Sequence, residues 1–188
     1  DPGARAVARV QDAGFPVVPV PGASAVITAL SASGLADGHF HFHGFLPTKS
    51  AARRASLESL RSVPGTLVFY EAPHRIAETL DDLAAVFEPT RELVVARELT
   101  KMFEQIVRMP ITEGPTWLAA DPNRARGEFV LLVSAAPVAE GLSPEAERVL
   151  GLLLAELPVK QAAKLAAGIT GESKNALYER ALAMREEG

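Results

Sequence analysis

The sequence predicts a mixed-sheet α/β domain followed by a small all-helical subdomain, and three observations carry that prediction. Short β-prone runs alternate with amphipathic helical stretches as far as Val133, the pattern of strands layered against helices. The last strands of that series follow one another without a long helix between them, so the sheet is mixed rather than wholly parallel. After Ser134 the β-prone runs stop, and helix starts and turns fill the rest of the chain.

Asp1-Pro2-Gly3 leads into a helical run from Ala4 to Ala13, which Gly14 can end in a left-handed conformation. Phe15 to Val20 reads as a short strand at an edge or a domain entrance, because Pro16 and Pro19 would remove ladder hydrogen bonds from a central strand. Pro21-Gly22-Ala23-Ser24-Ala25 then turns the chain into an apolar helix, Ala25 to Ser33, ended by Gly34. Phe40 to His43 reads as a strand, Ser50 to Leu60 as a helix with Leu57 and Leu60 on one face, and Thr66 to Tyr70 as a strongly β-prone run. Arg75 to Phe87 sets Ile76, Leu80, Leu83 and Phe87 at helical spacing. Leu93 to Ala96 and Glu104 to Arg108 are strands, a short helical stretch holds Trp117, and Glu128 to Val133 closes the series.

Residues 135–142 read as a linker. Ser143-Pro144-Glu145 is a strong helix start, with a hydroxyl at the cap, Pro in the first turn and an acid near the positive helix end. Helices are expected over Pro144 to Leu157, Lys160 to Thr170 and Lys174 to Met184, divided by Pro158 and by the Gly171-Glu172-Ser173 turn. The last two outline a helix-turn-helix. The other reading is a small bundle that caps the sheet domain, since residues 143–188 carry six Lys and Arg against seven acids and so no basic stripe.

Composition narrows the function classes. Of 188 residues 48% are hydrophobic and 22% charged, enough for a substantial core. The absence of cysteine excludes disulfides, thiolate catalysis and cysteine-ligated metal sites. The most apolar stretch, Val149 to Ala155, is far shorter than the ~20 residues needed to cross a bilayer, so no membrane role is expected. The first residues lack a basic-then-apolar leader pattern, which makes the cytoplasm the expected compartment. The formal charge of -4 argues against a chain basic all over, but it is uneven. Residues 39–75 hold Lys49, Arg53, Arg54, Arg61 and Arg75 against two acids, a formal +3, and the remainder sums to -7. Lys49, Arg53 and Arg54, around a helix start, are the candidate phosphate-binding surface; a solvated helix face is the plainer reading.

The turn Pro21 to Ala25 places small residues at a helix N-terminus, where free N–H groups can meet an anionic or polar ligand; an ordinary N-cap by Ser24 is the alternative. His39, His41 and His43 alternate along a strand and share a face, yet residues in a row do not converge on a tetrahedral metal, so an exposed strand face is expected and no metal. Tyr70 to Arg75 lies where a buried strand runs into a helix, the edge at which open α/β sheets bind ligands. Arg97-Glu98-Leu99-Thr100-Lys101 with Glu104 follows a second strand, and two such charged clusters are expected to line one cleft. Gly127, between Arg126 and Glu128, permits a close approach. No nucleophilic triad is present, which leaves acid–base, cofactor-based or electrostatic chemistry.

Taken in order, PGASAVITALSASGL (21–35), GFLPTKSAARR (44–54), TLVFYEAPHR (66–75), VVARELTKMFEQ (94–105), RGEFVLLV (126–133) and LPVKQAAKLAAGITGESKNALYERAL (157–182) resemble one family. It is the small-subunit ribosomal RNA 2'-O-ribose methyltransferase I family, a branch of the tetrapyrrole (corrin/porphyrin) methylase superfamily. The resemblance runs from end to end. It implies the mixed-sheet C-terminal lobe of a tetrapyrrole methylase-like fold over residues 21–134 and a helical subdomain over 143–188, with 1–20 a remnant of the first lobe and the inter-lobe connection. It implies S-adenosylmethionine as methyl donor and, as acceptor, a cytidine 2'-hydroxyl near the decoding centre. The partner implied is small-subunit rRNA or the 30S subunit, and the assembly a homodimer. By resemblance the cofactor contacts fall on Gly22, Ser24, Ala25, Glu71 and Thr100. Charge and location make Lys49, Arg53, Arg54 and Arg75 candidates for RNA phosphates, and His74, Arg97, Glu98 and Lys101 candidates for catalysis.

A GTPIGN-like strand and turn and an SDAGTP-like segment that the family carries ahead of this opening have no counterpart here. The chain is therefore read as the second lobe and tail, inactive and a weak cofactor binder alone. Two rivals remain: methyl transfer to a small tetrapyrrole, disfavoured by the basic 39–75 segment and the helical tail, and a non-catalytic RNA- or ribosome-binding module.

Overall fold

A computed structural model describes residues 3–136 and 141–186. The chain divides into two compact units, Asp1–Ala136 and Pro137–Gly188. Part of the expected linker, residues 137–140, lies outside the described residues.

In the first unit the elements are α1 (Ala4–Asp12), α2 (Ala25–Ser33), β1 (Phe40–Phe45), α3 (Ser50–Leu60), β2 (Thr66–Glu71), α4 (Ile76–Val86), β3 (Glu92–Arg97), β4 (Gln105–Pro110), α5 (Gly114–Ala119) and β5 (Phe129–Val133). The sheet order is β1-β2-β5-β3-β4. Only β1 and β2 run parallel; β5 sits antiparallel between β2 and β3, and β4 antiparallel on β3. The mixed sheet follows from the connections: β3 and β4 are joined by a short loop, whereas β1 reaches β2 through α3.

Central strands are apolar on both faces because both are covered. Leu67, Phe69, Leu93, Val95, Leu131 and Val133 pack with Leu57, Leu80 and Leu83 of α3 and α4. On the other face Val68, Val94, Ala96, Val130 and Leu132 pack with Val26 and Ala29 of α2. At ~25 cal/mol per Å² of apolar area, each fully buried Leu or Phe contributes about 2 kcal/mol, so this two-sided burial is what holds the sheet edge in place.

One expected strand is not formed. Phe15 to Val20 is irregular and exposed, with Val20 at 90%. Prolines at 16, 19 and 21 leave too few N–H groups to sustain a ladder even at an edge, and that outweighs the β-propensity of the valines.

The second unit holds α6 (Pro144–Glu156), α7 (Val159–Thr170) and α8 (Lys174–Glu186). Ser143 caps α6, its hydroxyl accepting from the Ala146 N–H at 3.2 Å. Gly171 ends α7 in the left-handed region (φ 76°), and a core of Val149, Leu150, Leu177 and five alanines lets the helices approach closely.

Candidate active site at the sheet edge

The ends of β2 and β3 meet the start of β5. Phe129 pairs with Glu71 on one side and with Arg97 on the other, so one residue brings two charged segments into a single row across the sheet. A cavity of about 430 Å³ opens there. Tyr70, Glu71, Phe129 and Val130 form its strand side; Ala72 and Pro73, Leu99, Lys101 and Glu128 form the loop side. Ala25, the first residue of α2, and Phe45, the last of β1, complete it.

Local sequence sets the aromatic wall. A register shift between Phe42 and Gly44, with Gly44 at φ 83°, inserts an extra residue into β1. That bulge puts Phe45 on the same side as Phe42, and both rings reach Tyr70, at 5.7 and 4.9 Å between centroids. The intervening His43 faces Phe69 instead, where burial and then the neighbouring His41 lower its pKa. Among the described residues no group of three or more His, Cys, Asp and Glu is placed to hold a metal.

Glu71 is 2% exposed and its carboxylate is fully engaged. One oxygen accepts from the Ala72 N–H at 2.8 Å and lies 3.4 Å from Arg75 Nε; the other accepts from Thr79 Oγ1 at 2.7 Å. Arg75 in turn donates through Nη2 to the carbonyls of Leu46 and Pro47, at 2.7 and 3.1 Å. Thr79, Glu71 and Arg75 thus tie α4, the end of β2 and the loop after β1 together. Arg75 is ion-paired with Glu71 and its Nη2 is turned inward onto two backbone carbonyls, so the structure places this phosphate-ligand candidate in the scaffold around Glu71.

Arg53, another candidate for RNA phosphates, is likewise turned inward. It is 1% exposed, and its guanidinium holds Asp82 at 2.6 Å, Glu78 at 3.1 Å and the Thr48 carbonyl at 3.1 Å. A buried charge must be paired, and Asp82 and Glu78 of α4 supply the partners. Burial raises the Asp82 carboxyl, but hydrogen bonds from Arg54 and Arg53 outweigh it and keep its pKa below the usual carboxylate range. Arg54 keeps half its side chain in solvent while bonding Asp82 at 2.5 Å, and Lys49 at the start of α3 is exposed.

After β3 the backbone enters the left-handed region at Glu98 (φ 51°) and Thr100 (φ 64°), an uncommon and costly conformation for side-chain-bearing residues. The turn is fixed by Glu98, whose carboxylate accepts from Lys101 Nζ and from the Glu128 N–H, both at 2.9 Å. Gly127 is required beside it, since a Cβ there would lie 2.4 Å from Glu98 Cγ. Lys101 also bonds Glu128 at 2.9 Å. These bonds, first from Glu98 and then from Glu128, raise the Lys101 pKa, while Lys101 and then the Glu128 N–H lower that of Glu98. At neutral pH Lys101 is a fixed cation and Glu98 an ionised carboxylate.

Among the catalytic candidates only Lys101 lines the first cavity. Arg97 and Glu98 line a second, of about 390 Å³, and His74 is exposed and lines neither. Among the cofactor candidates Ala25 and Glu71 line the first cavity. Gly22 and Ser24 stand just before it at the start of α2, where Ser24 makes no side-chain cap. Thr100 is exposed and its N–H donates to Glu104 at 2.5 Å. Sequence reasoning does not single out Phe45 as a site residue and notes Tyr70, Leu99 and Glu128 only as parts of their segments; the adjacency of strand ends that collects them depends on β5 inserting between β2 and β3.

Fold and site define a class, and comparison supplies it. Residues 1–114 match the model of the Tetrapyrrole (Corrin/Porphyrin) Methylases, and residues 140–185 that of the RsmI C-terminal HTH domain. A cobalt precorrin-4 methyltransferase of the cobalamin biosynthetic route shares the fold, with a TM-score of 0.51 at 14% identity over 70% of this chain and 57% of that one. The chain belongs to the tetrapyrrole methylase family. Within it the chain falls in the ribosomal RNA small subunit methyltransferase I branch. It is 52% identical over 185 residues to the Pseudomonas aeruginosa protein of that name, covering 97% of this chain and 66% of the relative. It is 47% identical over 190 residues to the Haemophilus influenzae one, covering 100% and 67%. The chain therefore spans about two thirds of the length of these relatives.

Proposed function

We propose that this chain forms the second lobe and helical tail of a methyltransferase that methylates the ribose 2'-hydroxyl of a cytidine in small-subunit rRNA, near the decoding centre, with S-adenosylmethionine as donor. The observation that carries the reading is the 430 Å³ cavity at the sheet edge, in a chain whose relatives are named as ribosomal RNA small subunit methyltransferases.

The residues present fit such a donor. The volume lies within the range of small-molecule sites, the walls are largely apolar, and Ala25 and Ala72 allow close approach. The first turn of α2 offers N–H groups that Ser24 leaves uncapped, suited to an anionic or polar group. Ala25 in the cavity wall, with Gly22 and Ser24 just before it, are the residues that would hold it; Glu71 would act by shaping the cavity, and Thr100 through the turn that carries Leu99 and Lys101. When bound, the donor supplies an electrophilic sulfonium methyl group. Lys101, kept protonated, would supply fixed positive charge that stabilises the acceptor oxygen as its proton passes to water, and would not itself take that proton. Glu98 and Glu128 hold the ammonium in position. Lys49 and Arg54 remain as exposed cations for RNA phosphates.

The test is transfer of labelled methyl from S-adenosylmethionine to 30S subunits that lack the modification, with the modified nucleotide mapped. The full-length gene product should label one cytidine ribose, and Lys101→Met should lower kcat with little change in binding of the donor. Labelling of a tetrapyrrole in place of rRNA would overturn the reading. The inactivity expected of the 188-residue chain alone is read in the same assay. The family reading also includes a cytoplasmic enzyme and a second copy of the chain as partner, the latter tested by sedimentation velocity. Among the described residues no helix is long and apolar enough to cross a membrane.

A further inference from the structure

We infer that the second cavity, the 390 Å³ cleft beside the loop between β3 and β4, takes one unpaired nucleotide of the RNA, with its base stacked on Phe103 and its phosphate drawn by Arg126 and Arg97. The inference rests on the RNA reading above and assigns a separate site to it.

Six residues line the cleft: Arg97, Glu98, Phe103, Asn123, Arg126 and Gly127. Phe103 is 68% exposed and its neighbour Met102 is 91% exposed, on a loop whose other residues, apart from Leu99 in the first cavity, are charged or polar. Folding leaves this ring in water although the core lies one strand away. The loop is not slack. Lys101 N–H donates to the Glu98 carbonyl, Glu104 N–H to the Lys101 carbonyl, and Thr100 N–H to the Glu104 carboxylate. A large apolar ring held out on a hydrogen-bonded turn is a stacking platform, because every base offers a π-face.

Charge in the cleft favours an anion. Arg97 is pinned through Nη1 to the carbonyls of Asn123 and Arg126, at 2.8 and 3.0 Å, which fixes its position without cancelling its charge. Its Nε is buried without a hydrogen-bond partner. Among the described residues neither Arg97 nor Arg126 makes an ion pair, and the Glu98 carboxylate is committed to Lys101 and the Glu128 N–H. The Asn123 side chain, which makes no hydrogen bond among the described residues, adds a donor and an acceptor at the rim. An aromatic face, two guanidinium groups of which Arg97 shares the field of Glu98 while Arg126 is exposed, and a side-chain amide are the chemistry of a nucleotide subsite.

The two cavities share one bridge. Glu98 lines the second, Lys101 and Glu128 line the first, and the three are joined by the hydrogen bonds described above. A nucleotide seated on Phe103 would therefore lie one ion pair away from the proposed acceptor.

The test is fluorescence anisotropy of a labelled single-stranded RNA octamer with the full-length gene product and its Phe103→Ala, Phe103→Trp and Arg126→Ala variants. Phe103→Ala should weaken binding about tenfold to a hundredfold. Phe103→Trp should retain affinity, and its added emission should be quenched by the octamer but not by inorganic phosphate. Arg126→Ala should weaken binding and flatten the log–log salt dependence by about 0.7. Unchanged affinity in Phe103→Ala, or an unquenched tryptophan, would remove the site while leaving the RNA reading intact. Failure of the wild-type protein to bind either the octamer or 30S subunits would instead defeat the RNA reading, and this site with it.

Discussion

The ends of β2 and β3 both carry charge, yet they use it in opposite ways. At the end of β2 the charges turn inward: Glu71 is buried against Thr79, Ala72 and Arg75, and Arg75 grips two carbonyls. At the end of β3 they remain nearer the surface: Lys101 and Glu98 bridge two cavities, and Arg126, from the loop before the neighbouring β5, is exposed beside them. The difference is geometric. The chain after β2 enters α4 directly, so Arg75 lies under the loop that follows β1. The chain after β3 makes a left-handed turn and reverses into β4, which leaves its side chains at the rim. A cluster of cations read along a sequence is thus either a scaffold or a binding surface, and the backbone path at the strand end decides which.

That contrast is broken most severely at Arg53. Arg53→Ala strands Asp82 inside with only Arg54 to pair it and should cost about 3–5 kcal/mol, read as a large fall in Tm and in the denaturant midpoint. A loss below ~1 kcal/mol would mean that Arg53 is not the clamp its burial implies. Next is Glu71→Gln, which removes the ion pair with Arg75 while keeping shape. A loss of about 1–3 kcal/mol is expected in urea unfolding, with donor binding weakened only through the distorted cavity.

Gly127→Ala probes the other strand end. Both the positive φ of 94° and the 2.4 Å approach to Glu98 are incompatible with a Cβ, so about 1–3 kcal/mol is expected together with displacement of Glu98. The smallest effect concerns pH. Burial raises the Glu88 carboxyl, but hydrogen bonds from Arg61, its own backbone N–H and Arg91 outweigh it and bring its pKa to about 2. A carboxylate depressed in the folded state contributes stability that is present above its unfolded value, 4.5, and lost as pH falls toward about 2. Glu88→Gln should flatten the stability curve in that window only, checked by urea titrations at stepped pH.

Much of the fold was legible from the chain because periodicity and punctuation agreed: Leu57 and Leu60, Ile76 with Leu80 and Leu83, and Gly34 and Gly171 stand where the pattern put them. The segment from Phe15 to Val20 misled because β-branched residues signal strands while proline removes the donors that make one. The candidate site was legible in its segments but not in its arrangement. That Glu71 and Arg97 flank Phe129 follows from an antiparallel insertion that local pattern does not encode. The fate of Arg53 was hidden for a related reason: its partners, Glu78 and Asp82, lie on another helix, and nothing near Arg53 in the chain distinguishes a surface cation from a paired one.

The central claim, that the β2 end is scaffold and the β3 end is the RNA surface, is tested most directly by the salt dependence of RNA binding in Arg75→Met beside Arg126→Ala, each first shown to be folded by circular dichroism. The account predicts that Arg126→Ala lowers the log–log slope by about 0.7 while Arg75→Met leaves it unchanged. A reduced slope in Arg75→Met with an unchanged slope in Arg126→Ala would contradict it.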